Sequence, residues 1–269
     1  MSVRPAGTSA PTLRALLDRG DGCSIALSAP GRAPSTFDAL RAQVDSGIDA
    51  LRGFGITAQD RVAIVLDNGP EMAAAFLTVA SGATAAPLNP AYTEVEFDFF
   101  LGDLDARALL VSEGDMGPAV VCAGRRSLAV IDLVAPPDAP AGSFILRRRD
   151  GLQGGPVAAR EARPEDVALI LHTSGTTSRP KMVPLSQANL CASALNIGHT
   201  LRLSPDDVAM NVMPLFHIHG LMASLAASLA AGGSVCCTPG FDALKFFGWL
   251  DEARPTWFSA VPTMHGVNG

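Results

Sequence analysis

The sequence predicts an α/β fold with layered, mostly parallel sheets and flanking helices. Hydrophobic residues make up 48% of the 269 residues and charged residues 17%, a composition that supports a buried core and excludes a disordered chain. Segments of strand and helix character alternate along the chain, as they do in α/β layers. Several strand candidates are continuous apolar runs, which is typical of parallel strands covered by helices on both faces.

The elements of the first half are predicted from apolar runs and helix-capping motifs. Two short runs around Pro30-Gly31 predict a hairpin. Asn68-Gly-Pro-Glu71 and Thr93-x-x-Glu96 each have the form of a capping box, so each predicts the start of a helix. The predicted strands are Ser24–Leu27, Ser35–Phe37, Arg61–Leu66, Ala108–Val111, Ala119–Cys122 and Leu128–Leu133. The predicted helices are Asp38–Arg52, 68–81 and one from Thr93 with Phe97, Phe100 and Leu104 as its buried stripe.

The stretch between Ala135 and Pro164 is the predicted boundary within the chain. It is rich in proline and glycine, carries Arg147-Arg-Arg149, and offers little apolar surface for a core. It divides the chain into a first α/β subdomain, residues 1–150, and a second, residues 151–269. The predicted strands of the second half are Val167–His172, Val208–Met213, Ser234–Thr238 and Thr256–Val261, and its predicted helices begin at Ser186, Gly220 and Asp242.

The charge balance and the cysteine pattern point to a cytoplasmic protein. Twenty basic and 26 acidic residues give a net charge of −6, which argues against nucleic-acid binding. The five cysteines are odd in number and form no C-x-x-C pair, so we expect buried, inert thiols in a reducing compartment rather than disulfides or a zinc site. Met1-Ser-Val-Arg-Pro lacks the apolar segment of a signal peptide.

One uncharged stretch is long enough in principle to cross a bilayer. Val208–Phe241 contains no Asp, Glu, Lys or Arg. However, Asn211, Pro214 and His217 interrupt it, and its apolar residues are mostly alanine. The pattern therefore predicts buried strands and a buried helix rather than a membrane span.

The most informative segment, Leu171–Lys181, follows a predicted buried strand. Its glycine lets the backbone approach an anion closely, its hydroxyl groups can donate to phosphate oxygens, and its lysine supplies a positive charge. A Ser/Thr-rich surface turn is the alternative that composition alone leaves open. The segment is neither a Walker A loop nor a G-x-S-x-G elbow. The candidate phosphate-binding residues are Thr173, Ser174, Gly175, Thr176, Thr177 and Lys181.

Two histidines, His217 and His219, stand two residues apart in an irregular segment. No carboxylate or cysteine lies near them in the sequence, so we predict no metal site. A structural imidazole at a strand end is the interpretation for His219. For His217 the residues alone leave a structural and a functional role equally open.

Thr173-Ser-Gly-Thr-Thr-Ser-Arg-Pro-Lys181 resembles the signature phosphate loop of the adenylate-forming, or AMP-binding, superfamily, which includes the acyl-CoA synthetases. The form with Ser178, Arg179 and a preceding His172 is similar to that of oxalate–CoA ligases, whereas Met182 stands where the family usually has glycine. Further stretches that resemble the family are Asp60–Ile64, Ala86–Glu96, Pro214–Gly220 and Pro255–Thr263.

The resemblance implies the N-terminal portion of the adenylate-forming fold and a two-step reaction. A carboxylate attacks the α-phosphorus of ATP with Mg²⁺ bound, giving an acyl-adenylate and pyrophosphate, and coenzyme A then takes the acyl group. The family's pattern places the phosphates at Thr173–Lys181, and it places the catalytic residue His217 beside the carboxylate. The loop favours a small polar acid such as oxalate, with medium-chain and aromatic acids left open.

The resemblance also implies a family chain about twice as long. We therefore expect an N-terminal fragment of an acid–CoA ligase, with an incomplete second subdomain, no C-terminal domain, no activity of its own, and a tendency to self-associate. The alternative is a natural truncated, non-catalytic module that keeps the fold and binds a protein partner, or phosphate weakly.

Overall fold

The computed structural model describes residues 12–152, 160–173 and 180–265. Its helices are α1 (Leu13–Leu16), α2 (Phe37–Gly53), α3 (Pro70–Gly82), α4 (Glu94–Asp103), α5 (Pro118–Arg125), α6 (Gln187–Leu201), α7 (Ala227–Ala230), α8 (Phe246–Ala253) and α9 (Pro262–His265). Two further helical segments are a 3₁₀ turn, Leu17–Arg19, and a π-helix, His219–Ala226. Its strands are β1 (Ile25–Ser28), β2 (Ser35–Thr36), β3 (Arg61–Val65), β4 (Thr84–Pro87), β5 (Ala108–Ser112), β6 (Ala129–Val134), β7 (Ile145–Arg148), β8 (Val167–Thr173), β9 (Lys181–Ser186), β10 (Val208–Asn211), β11 (Ser234–Cys237) and β12 (Trp257–Ser259).

The strands form two sheets. One has seven strands in the order β7-β6-β5-β3-β4-β8-β9, and the other has five in the order β12-β10-β11-β1-β2. All pairings are parallel except those of β7, β9 and β2, which are antiparallel edge strands. The predicted α/β fold with mostly parallel sheets is confirmed. The division near residue 150 stays a prediction, and each sheet draws strands from both sides of that point.

Buried apolar faces explain why the helices pack where they do. The apolar side chains of α2 and the nearly all-buried α3 share one core with β3 and the five-stranded sheet, and α4 and α5 cover the other face of the seven-stranded sheet. The strands β3, β4 and β5 are buried along almost their whole length, as expected for parallel strands between two helical layers.

The predicted strand Ala119–Cys122 is wrong, because these residues belong to helix α5. Pro118 occupies its first turn, where the missing N–H costs nothing. Ala119, Cys122 and Ala123 are its buried residues, at helical spacing. A short apolar run does not distinguish a strand from a buried helical segment by periodicity.

One predicted capping box is confirmed and one is wrong. Thr93 accepts from the backbone N–H of Glu96, and the Glu96 carboxylate accepts from the Thr93 N–H at 2.8 Å, which starts α4. The N-cap of α3 is Gly69, not Asn68, so no side chain accepts a hydrogen bond at the start of this helix. Glu71 instead forms an ion pair with Arg32 at 2.6 Å.

The stretch Ala135–Pro164 contributes more to the fold than its composition predicts. Ala141 and Phe144 are buried, and β7 extends the seven-stranded sheet. The hydroxyl of Ser35 donates to the Ala141 carbonyl at 2.6 Å, which ties the stretch to the hairpin of the other sheet. Strand β9 was also missed, because its exposed residues and Pro184 carry no strand pattern.

The uncharged stretch Val208–Phe241 folds as β10, the π-helix, α7 and β11. Within the described parts of the chain, no helix combines the length and the apolar character that crossing a membrane requires.

Four of the five cysteines are buried as predicted, but Cys23 is exposed, which corrects the prediction for that residue. Burial raises the pKa of the Cys191 thiol to about 11 and that of Cys237 still further. We therefore expect an Ellman titration of the native chain to modify one thiol rapidly, because only the thiolate reacts. The Cys23→Ser variant should show no rapid phase, and all of its remaining thiols should react in guanidinium. A rapid phase that survives in Cys23→Ser would show that a buried cysteine is accessible.

Candidate functional site

The carboxyl ends of the parallel strands of both sheets meet at Asn68, three residues after β3. Its side-chain Oδ1 accepts from the N–H of Leu215, which follows β10, at 2.8 Å. Its Nδ2 donates to the carbonyl of Thr238, which follows β11, at 3.0 Å. One amide therefore joins three strand ends from two sheets, and crevices outside the carboxyl ends of parallel strands are where α/β proteins bind ligands.

The two described ends of the candidate phosphate segment lie side by side. Thr173 is the last residue of β8 and Lys181 the first of β9, and they are directly paired in the antiparallel ladder. The Thr173 hydroxyl donates to the Lys181 carbonyl at 3.4 Å. Both residues are exposed, and the Lys181 ammonium forms no ion pair within the residues that the structure describes. The other predicted phosphate-binding residues, Ser174, Gly175, Thr176 and Thr177, lie outside the described residues.

His172 precedes this segment and has a partner that the sequence does not reveal. Its Nε2 lies 3.0 Å from Oδ2 of Asp103, the last residue of α4, and its ring meets Phe100 edge-on at 4.7 Å. Tyr92 stacks on Phe100, with the two ring centroids 4.8 Å apart. The sequence separation of 69 residues between His172 and Asp103 explains why no local motif predicts the pair.

His217 lies between β10 and the π-helix. Its backbone N–H donates to Pro214 at 3.3 Å, and its ring lies 4.5 Å from that of Phe216. The residue is exposed on one side, but partial burial lowers the pKa of its imidazole below the ordinary value of 6.5. Burial therefore favours the neutral form of the ring, which can either accept or donate a hydrogen bond.

His219 has its partner inside the protein, as a structural imidazole requires. Its Nε2 is 2.6 Å from the hydroxyl of Ser259 on β12. The contact ties the first turn of the π-helix to the edge of the five-stranded sheet. No hydrogen bond or ion pair of the described residues joins His217 to Thr173 or Lys181, so the structure brings the two phosphate-segment ends together but does not link them to His217 directly.

A family match extends over almost the whole chain. Residues 21–266 match the family described as AMP-binding enzyme. This chain belongs to that family. The resemblance seen in the sequence, and the fold that it implied, are thereby confirmed.

Individual relatives agree with the family match. The AMP-binding chain is 38% identical over 248 residues to an oxalate–CoA ligase of Arabidopsis thaliana, covering 90% of this chain and 48% of the relative. It is 38% identical over 227 residues to an oxalate–CoA ligase of Saccharomyces cerevisiae, covering 77% and 42%. The chain thus spans about half the length of the curated relatives it matches.

A solved structure shares the architecture. MatB of Rhodopseudomonas palustris, in an apo and an ATP-bound crystal structure, superposes with a TM-score of 0.79 at 28% identity. The superposition covers 96% of this AMP-binding chain and 50% of MatB.

A pH titration tests the environment of His217. Because burial disfavours the imidazolium, we expect the NMR titration midpoint of this ring in the folded chain to lie below 6.5. The unfolded chain binds this proton more tightly, so the contribution of His217 to stability is present above pH 6.5 and is lost as the pH falls through the folded pKa. The variant His217→Gln assigns the resonance, and the midpoint in urea should return to about 6.5. A folded midpoint at or above 6.5 would contradict the burial of the ring.

Proposed function

We propose that this chain carries the phosphate-binding half of an ATP-dependent acid–CoA ligase that activates a small carboxylate, oxalate first among the candidates. The observation that carries the proposal is the pairing of Thr173 with Lys181 at the base of a hydroxyl-rich segment, at the carboxyl end of a parallel strand. The relatives named as oxalate–CoA ligases support the choice of acid.

The residues divide the chemistry between phosphate and carboxylate. Negative charge builds on pyrophosphate as it leaves the α-phosphorus, and an ammonium held at Lys181 stabilises that charge. Thr173 is paired with Lys181, and its hydroxyl can exchange its long 3.4 Å contact with the Lys181 carbonyl for donation to a phosphate oxygen. The neutral ring of His217 can donate to the attacking carboxylate and fix its orientation without adding a charge that must be desolvated.

Mg²⁺ would accompany ATP in this reaction. Among the described residues, no three or more His, Cys, Asp or Glu side chains are grouped as a metal site. The ion would be bound chiefly through phosphate oxygens and water, and would take few ligands from the protein. The ion would neutralise phosphate charge when bound.

Acid-dependent exchange of labelled pyrophosphate into ATP tests the proposal in the ligase that carries this chain. We expect exchange with oxalate and Mg²⁺, and formation of oxalyl-CoA when coenzyme A is added. Exchange with a medium-chain or aromatic acid but not with oxalate would correct the substrate. The absence of exchange with every acid would favour the non-catalytic module.

We further propose that the 269-residue chain alone is inactive, since it spans about half of the related ligases. This polypeptide should release no pyrophosphate in response to any acid. We place the protein in the cytoplasm, and the five free cysteines support a reducing compartment.

We also propose that this 269-residue chain self-associates. Leu244, two residues before α8, is 96% exposed, and Phe247, in the first turn of α8, is 57% exposed. Strand β12 is an edge strand of its sheet. Exposed apolar patches and open edges favour association, so we expect dimers in sedimentation at micromolar concentration.

Charged substitutions test whether this surface mediates the association. Phe247→Glu should raise the dimer dissociation constant more than tenfold, because burying a Phe side chain contributes about 1.5–3 kcal/mol. Val95→Glu, at a still more exposed position on α4 (80% against 57%), is the control and should leave the constant unchanged. A monomeric wild-type chain would contradict the proposal.

A further inference from the structure

The inference concerns the pair formed by His172 and Asp103, and it rests on the proposed phosphate-binding function. Only 6% of the His172 side chain is exposed, against 37% of that of Asp103. A carboxylate can only accept, so the imidazole Nε2–H donates across the 3.0 Å contact. The edge-on contact with Phe100 holds the ring in one plane.

Each member of the pair compensates a feature that is unfavourable in the other. Asp103 ends α4, where the helix dipole and the free carbonyls disfavour a negative charge, and α4 has no basic residue in its last turn. His172 is a polar side chain that is almost fully removed from water, and such groups need a hydrogen-bond partner. The hydrogen bond meets both needs and joins the end of β8 to the end of α4.

The pair formed by His172 and Asp103 lies directly next to the residues that begin and end the phosphate segment. His172 is paired with Met182, and the next residue pair is Thr173 with Lys181. Strand β9 is at the edge of the sheet, and among the strands that the structure describes its only neighbour is β8. The location of Lys181 therefore depends on β8, and the end of β8 is held by Asp103 through His172.

We propose that Asp103 is a positioning residue for the phosphate site. It acts through His172 to fix the end of β8, and thereby places Thr173 and the ammonium of Lys181 at the distance that a pyrophosphate group requires. Removing the carboxylate frees the His172 ring, loosens the β8–β9 ladder at its open end, and weakens phosphate binding without unfolding the protein.

Binding of inorganic pyrophosphate with Mg²⁺ to the 269-residue chain, measured by calorimetry, provides the first test. Asp103→Ala should weaken binding at least fivefold. Asp103→Asn retains an acceptor oxygen and removes the negative charge, so it should bind within twofold of the wild type or more tightly. Asp98→Ala is the matched control, because Asp98 is also a carboxylate of α4 that contacts a basic residue, Arg126, at 3.0 Å.

Hydrogen exchange provides a readout that loss of overall stability would not reproduce. In Asp103→Ala, amides of residues 170–173 and 181–183 should exchange several-fold faster than in the wild type, while those of β3 and β5 stay protected. Asp103→Asn and Asp98→Ala should retain the wild-type pattern. The His172→Ala variant should reproduce Asp103→Ala, and the double variant should add nothing further.

Three results would overturn the inference. Unchanged binding and exchange in Asp103→Ala would make the pair a mere surface contact. Equal weakening in Asp98→Ala would reduce the effect to the stability of α4. If the wild-type chain binds no pyrophosphate, the proposed phosphate site is wrong, and the role of Asp103 is wrong with it. The measurement on the wild type distinguishes this outcome from the other two.

Discussion

Replacing Lys181 by alanine should lower oxalate-dependent pyrophosphate exchange by about 100-fold in the ligase that carries this chain. Loss of one group that stabilises developing charge typically lowers the rate by a factor of 10² to 10³. Lys181 forms no ion pair in the described part of the chain, so its ammonium is available to a phosphate, and its removal leaves no carboxylate unpaired inside the protein. The effect should therefore appear in catalysis and not in stability.

The sequence supplies the matched control for this experiment. Lys245 is the only other lysine of the chain, and its ammonium is 3.8 Å from Asp242 at the surface. Lys245→Ala should keep wild-type exchange. Lys181→Arg keeps the charge but replaces a compact ammonium by a planar guanidinium, so it should recover only part of the rate. Equal exchange rates for Lys181→Ala and the wild type would show that Lys181 does not contribute to catalysis.

Local signals explain why much of the fold could be predicted from the sequence. The capping box at Thr93 and Glu96 needs only residues three positions apart, and the buried strand β3 is a continuous apolar run. Both signals are complete within a few residues. Thr173 and Lys181 likewise belong to one short motif, and their phosphate-binding role stays a prediction.

Two missed features of the candidate site depend on residues far apart in the chain. Asn68 looks like a helix cap, yet its amide is used by Leu215 and Thr238, which are 147 and 170 residues away. The partner of His172 is equally remote. A polar side chain can bond either to nearby backbone or to distant partners that the packing of two sheets brings close to it. Which of the two it does is not visible in a pattern of a few residues.

Asn68→Ala should lower the free energy of unfolding by about 2 kcal/mol, the second large effect that we expect. The substitution leaves the Leu215 N–H and the Thr238 carbonyl without their partner, and a buried group without a hydrogen bond costs about 1–3 kcal/mol. Urea unfolding measures the loss. Asn89→Ala is the control, because the Asn89 side chain accepts from the nearby Ala91 N–H and holds no distant segment among the described residues, so its loss should stay below that of Asn68→Ala.

Catalysis should respond to the same substitution, because Asn68 holds Leu215, two residues before His217. Once that anchor is lost, the segment that carries His217 is free to move relative to the ends of β3 and β11. We expect the KM for oxalate to rise several-fold in the ligase, while the KM for ATP changes little, since β8 and β9 are not bonded to Asn68. Asn68→Asp keeps an acceptor for the Leu215 N–H but loses the donor to the Thr238 carbonyl. Its KM for oxalate should therefore lie close to that of the wild type, whereas its free energy of unfolding should stay lowered. A parallel rise in both KM values would instead mean that Asn68 supports the whole site and has no particular role in placing His217.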